Sequence, residues 1–318
     1  MNEAIIELKE VTKQYDNHLA VNDLSLSINK GEIFGLLGPN GAGKTTTILM
    51  MLGLSEPTSG TVLVSSINST TNPIEVKKKV GYLPDNVGFY TNMTGLENLL
   101  FTAGLNGISK KLAEERAKLL LEKVGLTYAA HKKTGTYSRG MKQRLGLADV
   151  LMKNPEIIIL DEPTLGIDPE GVRDFLQLIR ELNEKDDITV LLSSHHLHQV
   201  QQICDRVGIF VNGKLLAQGN IQQLSKELFA SESIVTEVIA KPLSEELVKS
   251  LQNMTGVQRI EMVSDDQVII HSEEDISGQV SRLIIQSGSE LYQLYRKNFG
   301  LDEIYHRYFE GREVNEAR

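Results

Sequence analysis

The feature that most restricts the fold of this chain is the stretch Gly38-Pro39-Asn40-Gly41-Ala42-Gly43-Lys44-Thr45-Thr46. Ahead of it runs Ile33-Phe34-Gly35-Leu36-Leu37, the continuous apolar pattern of a buried parallel strand. Behind it, Thr47-Ile48-Leu49-Met50-Met51-Leu52 reads as the first turns of a helix. Strand, glycine loop, Gly-Lys-Thr and helix together make a phosphate cradle. The glycines let the backbone bend tightly and turn several N–H groups toward one anion. The helix N-terminus adds partial positive charge. Lys44 has the reach for β- and γ-phosphates, and the Thr45 hydroxyl can join the shell of a Mg²⁺. The whole loop, Gly38 to Thr46, is therefore a candidate nucleotide-phosphate site.

The 318 residues, 41% hydrophobic and 24% charged, are enough for two domains, each with its own core. A net charge of −9 argues against a nucleic-acid-binding surface, which needs a basic face. The acidity is uneven. From Glu232 onward there are 9 basic and 16 acidic residues, against 24 and 26 before it. That change in charge density predicts a boundary, giving domains at 1–229 and 230–318. No apolar run approaches the ~20 residues of a membrane span. Met1-Asn2-Glu3-Ala4 lacks the basic start of a signal peptide. The single cysteine, Cys204, rules out an internal disulfide and fits a reducing cytoplasm as a small buried group.

Ile5, Ile6 and Leu8 predict a first strand, followed by Val11–Tyr15. Leu24, Leu26 and Ile28 alternate with Ser25, Ser27 and Asn29 as in a half-buried strand. From about 87 to 151 the pattern is helical, which predicts an inserted helical subdomain. Thr94-Gly95-Leu96-Glu97 has the spacing of a capping box. A second helix is expected over 112–124, with Leu119, Leu120 and Val124 as apolar positions, and a third over 140–152. Ile157–Leu160 is an apolar strand that delivers Asp161 and Glu162 at its C-terminal end, the edge where α/β sheets bind ligands. Thr189–Leu192 is another, ending at Ser193-Ser194-His195, and Asn212-Gly213 signals a hairpin. Beyond Phe229 the order is βαββαβ, with a further helix over 301–309, which predicts a small ferredoxin-like α+β domain.

Three stretches narrow the choice among phosphate-loop proteins. Tyr137-Ser138-Arg139-Gly140-Met141-Lys142-Gln143-Arg144 resembles the Leu-Ser-Gly-Gly-Gln signature of ABC ATPases, with Ser138 and Gly140 matching. Asp161-Glu162-Pro163-Thr164 is similar to the family's second phosphate motif and continues into Leu165-Gly166-Ile167-Asp168, similar to its D-loop. Ser194-His195 resembles its switch histidine. All stand in family order across roughly residues 1–225, and the chain is identified as a member of the ABC ATPases. The fold this implies is an α/β P-loop ABC ATPase domain with the helical subdomain inserted.

The resemblance also implies roles for particular residues. The cofactors it implies are ATP and Mg²⁺. Tyr15 matches the aromatic that stacks on adenine, and His195 the residue that contacts the γ-phosphate. Asp161, near Thr45, would bind Mg²⁺ directly or through water, and Glu162 would take a proton from the attacking water. Ser138 and Gly140 would cap the ATP held by a partner chain, so a homodimer, or a pair with a related ATPase subunit, forms around two nucleotides. Two positions depart from the family. Asp85 stands where the Q-loop usually has Gln, a shorter and charged candidate for the Mg²⁺ and its water; Arg139 and Met141 replace Gly and Gln in the signature. His195, His196 and His198 form a histidine cluster, but at i, i+1, i+3 they need not converge on a metal.

No membrane span is visible, and the resemblance implies a separate permease docked on the helical subdomain near 85–97, at the inner face of the cell membrane. The Tyr-Ser-Arg-Gly-Met signature and the ending Leu301-Asp302-Glu303-Ile304-Tyr305 resemble the ABC-2 export branch. Leu83-Pro84-Asp85-Asn86 also resembles ATPases of copper and nitrous-oxide-reductase maturation systems, which leaves the cargo open. The alternatives are a soluble ABC ATPase of iron–sulfur, ribosome or DNA type, and an interaction module without chemistry.

Overall fold

Apolar alternation and turn chemistry place the strands, and the strands place everything else. The computed structural model describes residues 3–228, 233–296, 301–305 and 307. Strands β1 (Ala4–Tyr15) and β2 (His18–Asn29) form an antiparallel hairpin. On β2, Leu24, Leu26 and Ile28 are buried and Ser25 is exposed, as the alternation predicts. The two expected segments of β1 are one strand, interrupted by a register shift between Leu8 and Val11 where Glu10 takes a φ of 51°. A bulge of this kind lets a strand continue while changing which face its side chains occupy.

Then come β3 (Ile33–Leu37), α1 (Lys44–Met51), β4 (Ser59–Val64), β5 (Ile67–Asn68), α2 (Pro73–Lys79) and β6 (Val80–Leu83). Helix α1 starts at Lys44, three residues before the apolar pattern does. The helical stretch contains α3 (Gly95–Leu105), α4 (Lys110–Lys123) and α5 (Arg139–Leu151). Thr94 and Glu97 close the capping box on α3. On α4 the buried face is Ala113, Ala117, Leu120 and Leu121. Leu119, expected inside, is 66% exposed, because three consecutive leucines cannot all face one side of a helix.

After α5 follow β7 (Ile157–Asp161), α6 (Pro169–Asp186), β8 (Thr189–Ser194), α7 (Leu197–Ile203), β9 (Arg206–Val211), β10 (Lys214–Gly219) and α8 (Ile221–Leu228). Asn212 and Gly213, both at positive φ, make the tight turn between β9 and β10. The main sheet has the order β10-β9-β3-β8-β7-β6, all parallel except β10. A second sheet, β2-β1-β4-β5, is antiparallel. One apolar cluster joins Ile6, Leu24 and Ile28 of that sheet to Ile48 and Met51 of α1 and Phe34 and Ile157 of the main sheet. Each such side chain contributes roughly 1.5–3 kcal/mol when fully buried, which holds the phosphate-loop helix firmly between the sheets. Cys204 is buried, and burial pushes its thiol pKa up.

The chain divides into two compact units, Met1–Leu224 and Ser225–Arg318. The boundary expected at 229/230 lies on residues outside those described. In the second unit, β11 (Ile234–Lys241), α9 (Glu245–Gln252), β12 (Val257–Ser264), β13 (Gln267–Ser272), α10 (Ser277–Gln286) and β14 (Glu290–Arg296) follow the βαββαβ order. The strands pair antiparallel as β12-β13-β11-β14, the split arrangement of a ferredoxin-like sandwich. Ser244 caps α9, and Leu247, Leu251, Val280 and Ile284 of the two helices pack with Val238 and Ile270 of the sheet. Residues 301–305 are helical; positions 306, 308 and 309 of the expected last helix lie outside those described.

Candidate functional site

Three neighbouring strands end at one place. β3, β8 and β7 lie side by side and parallel, with Leu37 opposite Ser194 and Ser193 opposite Asp161. Their C-terminal ends therefore share an edge. The phosphate loop follows β3, Glu162 follows β7 and His195 follows β8.

The loop's shape demands glycine at two points. Gly43 has a φ of 102°, and a Cβ there would stand 2.4 Å from the carbonyl oxygen of Ala20. A Cβ on Gly38 would stand 2.2 Å from the carbonyl oxygen of Phe210. Lys44 is buried, and its Nζ donates to the carbonyl oxygens of Gly38 at 2.7 Å and Pro39 at 3.2 Å. Burial lowers its pKa, opposed by the charges of Glu162 and Asp161.

Thr45 Oγ1 donates to Asp161 Oδ2 at 2.9 Å. Asp161 Oδ1 and Glu162 Oε1 are buried and have no hydrogen-bond partner. Burial raises the pKa of Asp161, and the Ser193 and Thr45 hydroxyls work against that rise. The unpartnered Asp161 oxygen beside the Thr45 hydroxyl makes a hard-oxygen donor pair that fits Mg²⁺.

Glu162 adopts a φ of 47°, uncommon for a residue with a side chain, while its N–H donates to the Ser193 carbonyl at 2.9 Å. Its Oε2 lies 2.9 Å from His195 Nδ1 and its Oε1 lies 3.7 Å from Lys44 Nζ. The structure thus brings Lys44, Thr45, Asp161, Glu162 and His195 together. The other two histidines turn elsewhere. The His196 ring is tilted by 38° against that of His195, with centroids 4.0 Å apart, and His198 Nε2 is 3.0 Å from Gln202 Nε2.

Tyr15, at the end of β1, is 44% exposed; its hydroxyl is 3.2 Å from Ser55 Oγ, and Lys13 Nζ lies 4.7 Å from the ring centroid. The Asp85 backbone is joined to α5. Its carbonyl accepts from Gln143 Nε2 at 3.2 Å and Arg139 Nη2 at 3.5 Å. Sequence reasoning missed these two ties and the Thr164–Gln199 hydrogen bond, which links the stretch after Glu162 to α7. Gln143 carried a signal, being a polar residue on the apolar side of α5. Ser138 caps α5 by accepting from the Met141 N–H at 3.2 Å. With Gly140, Ile167 and Asp168 it lines a cleft of about 340 Å³ that includes no phosphate-loop residue.

Residues 21–165 match the family described as ABC transporter. Over 303 residues the chain is 35% identical to the bacitracin transport ATP-binding protein BcrA of Bacillus licheniformis, spanning 95% of this chain and 96% of that one. The chain belongs to the ABC transporter ATP-binding proteins. It is also 36% identical over 256 residues to the linearmycin resistance ATP-binding protein LnrL of Bacillus subtilis, across 80% of this chain and 81% of that one. A solved ATP-binding cassette, dimeric in a post-hydrolysis state with ADP and Pi, superposes with a TM-score of 0.62 at 28% identity, covering 68% of this chain and 98% of that chain. This ABC transporter subunit binds ATP and is an ATPase. No helix among the described residues is long and apolar enough to cross a membrane.

Proposed function

We propose that this subunit powers export through a separate membrane permease, and that Glu162 is the base of its hydrolysis. The observation that carries the chemical reading is Glu162 held between His195 and Lys44 at the shared edge of β3, β7 and β8. Its carboxylate would accept the proton of the attacking water. His195 positions that carboxylate and contacts the γ-phosphate. Lys44 leaves the loop carbonyls it now bonds and turns to the β- and γ-phosphates, with N–H groups of Gly38 to Thr46 around them. Thr45 and Asp161 would hold Mg²⁺, with Asp85 a proposed third ligand; bound there, the ion would neutralise phosphate charge. Tyr15 stacks on the adenine.

Ser138 and Gly140, in a cleft without phosphate-loop residues, would complete the site of a second chain. A homodimer or a pair with a related ATPase subunit then closes on ATP and opens after hydrolysis. The subunit sits on the cytoplasmic face of the membrane, docked to the permease through its helical subdomain. Relatives named for bacitracin transport and linearmycin resistance support export of an antibiotic-like compound. The test is purification of the tagged full-length chain from membranes of its host, followed by transport assays in vesicles. Co-purification of an integral membrane protein and ATP-driven movement of a compound across the vesicle membrane is expected. Activity confined to a soluble assembly would overturn the exporter reading.

A further inference from the structure

Glu162 and His195 leave the sheet on separate loops, and strand pairing holds those loops together only at their base. The ladder between β7 and β8 ends with Asp161 opposite Ser193. One further backbone bond follows, from the Glu162 N–H to the Ser193 carbonyl at 2.9 Å. Past that point each segment takes its own course. Glu162 turns at a φ of 47° into the loop 163–168, and the other segment runs through His195 into α7.

Two polar side chains tie the segments again further out. Thr164, only 4% exposed, donates from Oγ1 to Oε1 of Gln199, on the first turn of α7. A threonine hydroxyl in a turn ordinarily bonds its own local backbone. This one bonds a side chain 35 residues away. Both ends of the bond are anchored. Val200, next to Gln199, is fully buried against β3, where a Cβ on Gly35 would stand 2.5 Å from Val200 Cγ1. The loop that carries Thr164 is folded on itself: the Leu165 N–H donates to the Glu162 carbonyl and the Ile167 N–H to the Thr164 carbonyl, both at 3.2 Å. A hydrogen bond between two fixed groups sets the spacing of the segments that carry them, here those of Glu162 and His195.

We propose that the Thr164–Gln199 bond is a brace that keeps Glu162 and His195 in register, which makes Thr164 and Gln199 positioning residues for hydrolysis. The proposal rests on Glu162 being the base. Neither Thr164 nor Gln199 takes or gives a proton in the reaction; both act through the other pair. Without the brace the two segments part, and a catalytic group misplaced by about 1 Å can cost about 100-fold in rate.

ATPase kinetics of the full-length chain with ATP and Mg²⁺ test the brace. Thr164→Val keeps the shape and removes the donor; Gln199→Leu removes the acceptor. Two variants on opposite sides of the bond keep the test decisive should one fail to fold. Each should lower kcat about 10- to 100-fold and leave the KM for ATP within about threefold, and the double variant should be no slower than either alone. Thr164→Ser, which keeps the donor, should return kcat to within about threefold of the natural chain. The Glu162→Gln background separates positioning from loss of folded protein. There the base is already gone, so adding Thr164→Val should leave the residual single-turnover rate within about twofold, whereas a merely damaged fold would lose the same factor in both backgrounds. Normal kcat in Thr164→Val and Gln199→Leu, or an additive loss in the Glu162→Gln background, would overturn the brace and leave Glu162 as the base. Near-normal turnover by Glu162→Gln itself would overturn the base and the brace together.

Discussion

His195 Nδ1 stands 2.9 Å from Glu162 Oε2, joining the residue after β8 to the residue after β7. Because the other carboxylate oxygen faces Lys44 Nζ at 3.7 Å, Glu162 is oriented from two sides before any nucleotide arrives. Glu162→Gln keeps the shape and removes the base. Turnover should fall about 10²–10⁴-fold, the usual contribution of general base catalysis. ATP affinity should stay within a few-fold. Phosphate release and nucleotide binding measured on the same preparation separate the two, and near-normal hydrolysis would remove Glu162 from the role of base.

Thr45 and Asp161 make the second prediction. Their 2.9 Å hydrogen bond joins two groups that would both turn to Mg²⁺, and Asp161 has a further oxygen without a partner. Chelation with EDTA should abolish hydrolysis. Asp161→Asn should raise the Mg²⁺ concentration for half-maximal activity by at least about tenfold, as loss of a charged ligand does. Full activity in excess EDTA would contradict the metal assignment.

The strands that build this site were legible because each is a short apolar run that stops at polar residues: Ile33–Leu37 at the loop, Ile157–Leu160 at Asp161, and Thr189–Leu192 before Ser193. A strand buried on both faces leaves little else for such runs to be. What the sequence hid were relationships set by three-dimensional packing. The order β9-β3-β8-β7 brings β3 beside β8, far apart in the chain, and no local pattern encodes that neighbour. The fold-back of Lys44 onto the Gly38 and Pro39 carbonyls depends on loop shape, not on residue type. Leu119 misled because a run of leucines on a helix carries no phase of its own.

Tyr15 offers an exposed ring beside Ser55 and under Lys13. Stacking of a base on an aromatic contributes about 1–3 kcal/mol. Tyr15→Ala should therefore raise the KM for ATP about tenfold with kcat little changed, while Tyr15→Phe should behave like the natural chain. Equal KM values for all three would place Tyr15 outside the nucleotide site.

Ser138 and Gly140 line a cleft that no phosphate-loop residue shares. If they serve a partner's nucleotide, a bulky cation there must keep the two chains apart. Ser138→Arg in the Glu162→Gln background should run as a monomer on a sizing column with ATP, where Glu162→Gln alone runs as a dimer. An ATP-dependent dimer that survives the substitution would refute the shared site.

Asp149 links stability to pH, and the sign follows from its environment. Burial raises its carboxyl from 3.8 to about 6 in the folded chain. A folded pKa above the unfolded one means the native state holds the proton more tightly. The stabilisation is then complete below about pH 4 and is lost as the pH rises through 6. A shift of about two units corresponds to about 3 kcal/mol at most. Asp149→Asn cannot ionise, so it should match the natural chain near pH 4 and exceed it by about 1–3 kcal/mol at pH 7.5. Urea denaturation of both chains at the two pH values measures the difference, in which other titrating groups cancel. Equal stability at both pH values would mean that Asp149 is not held in the raised, desolvated state its burial implies.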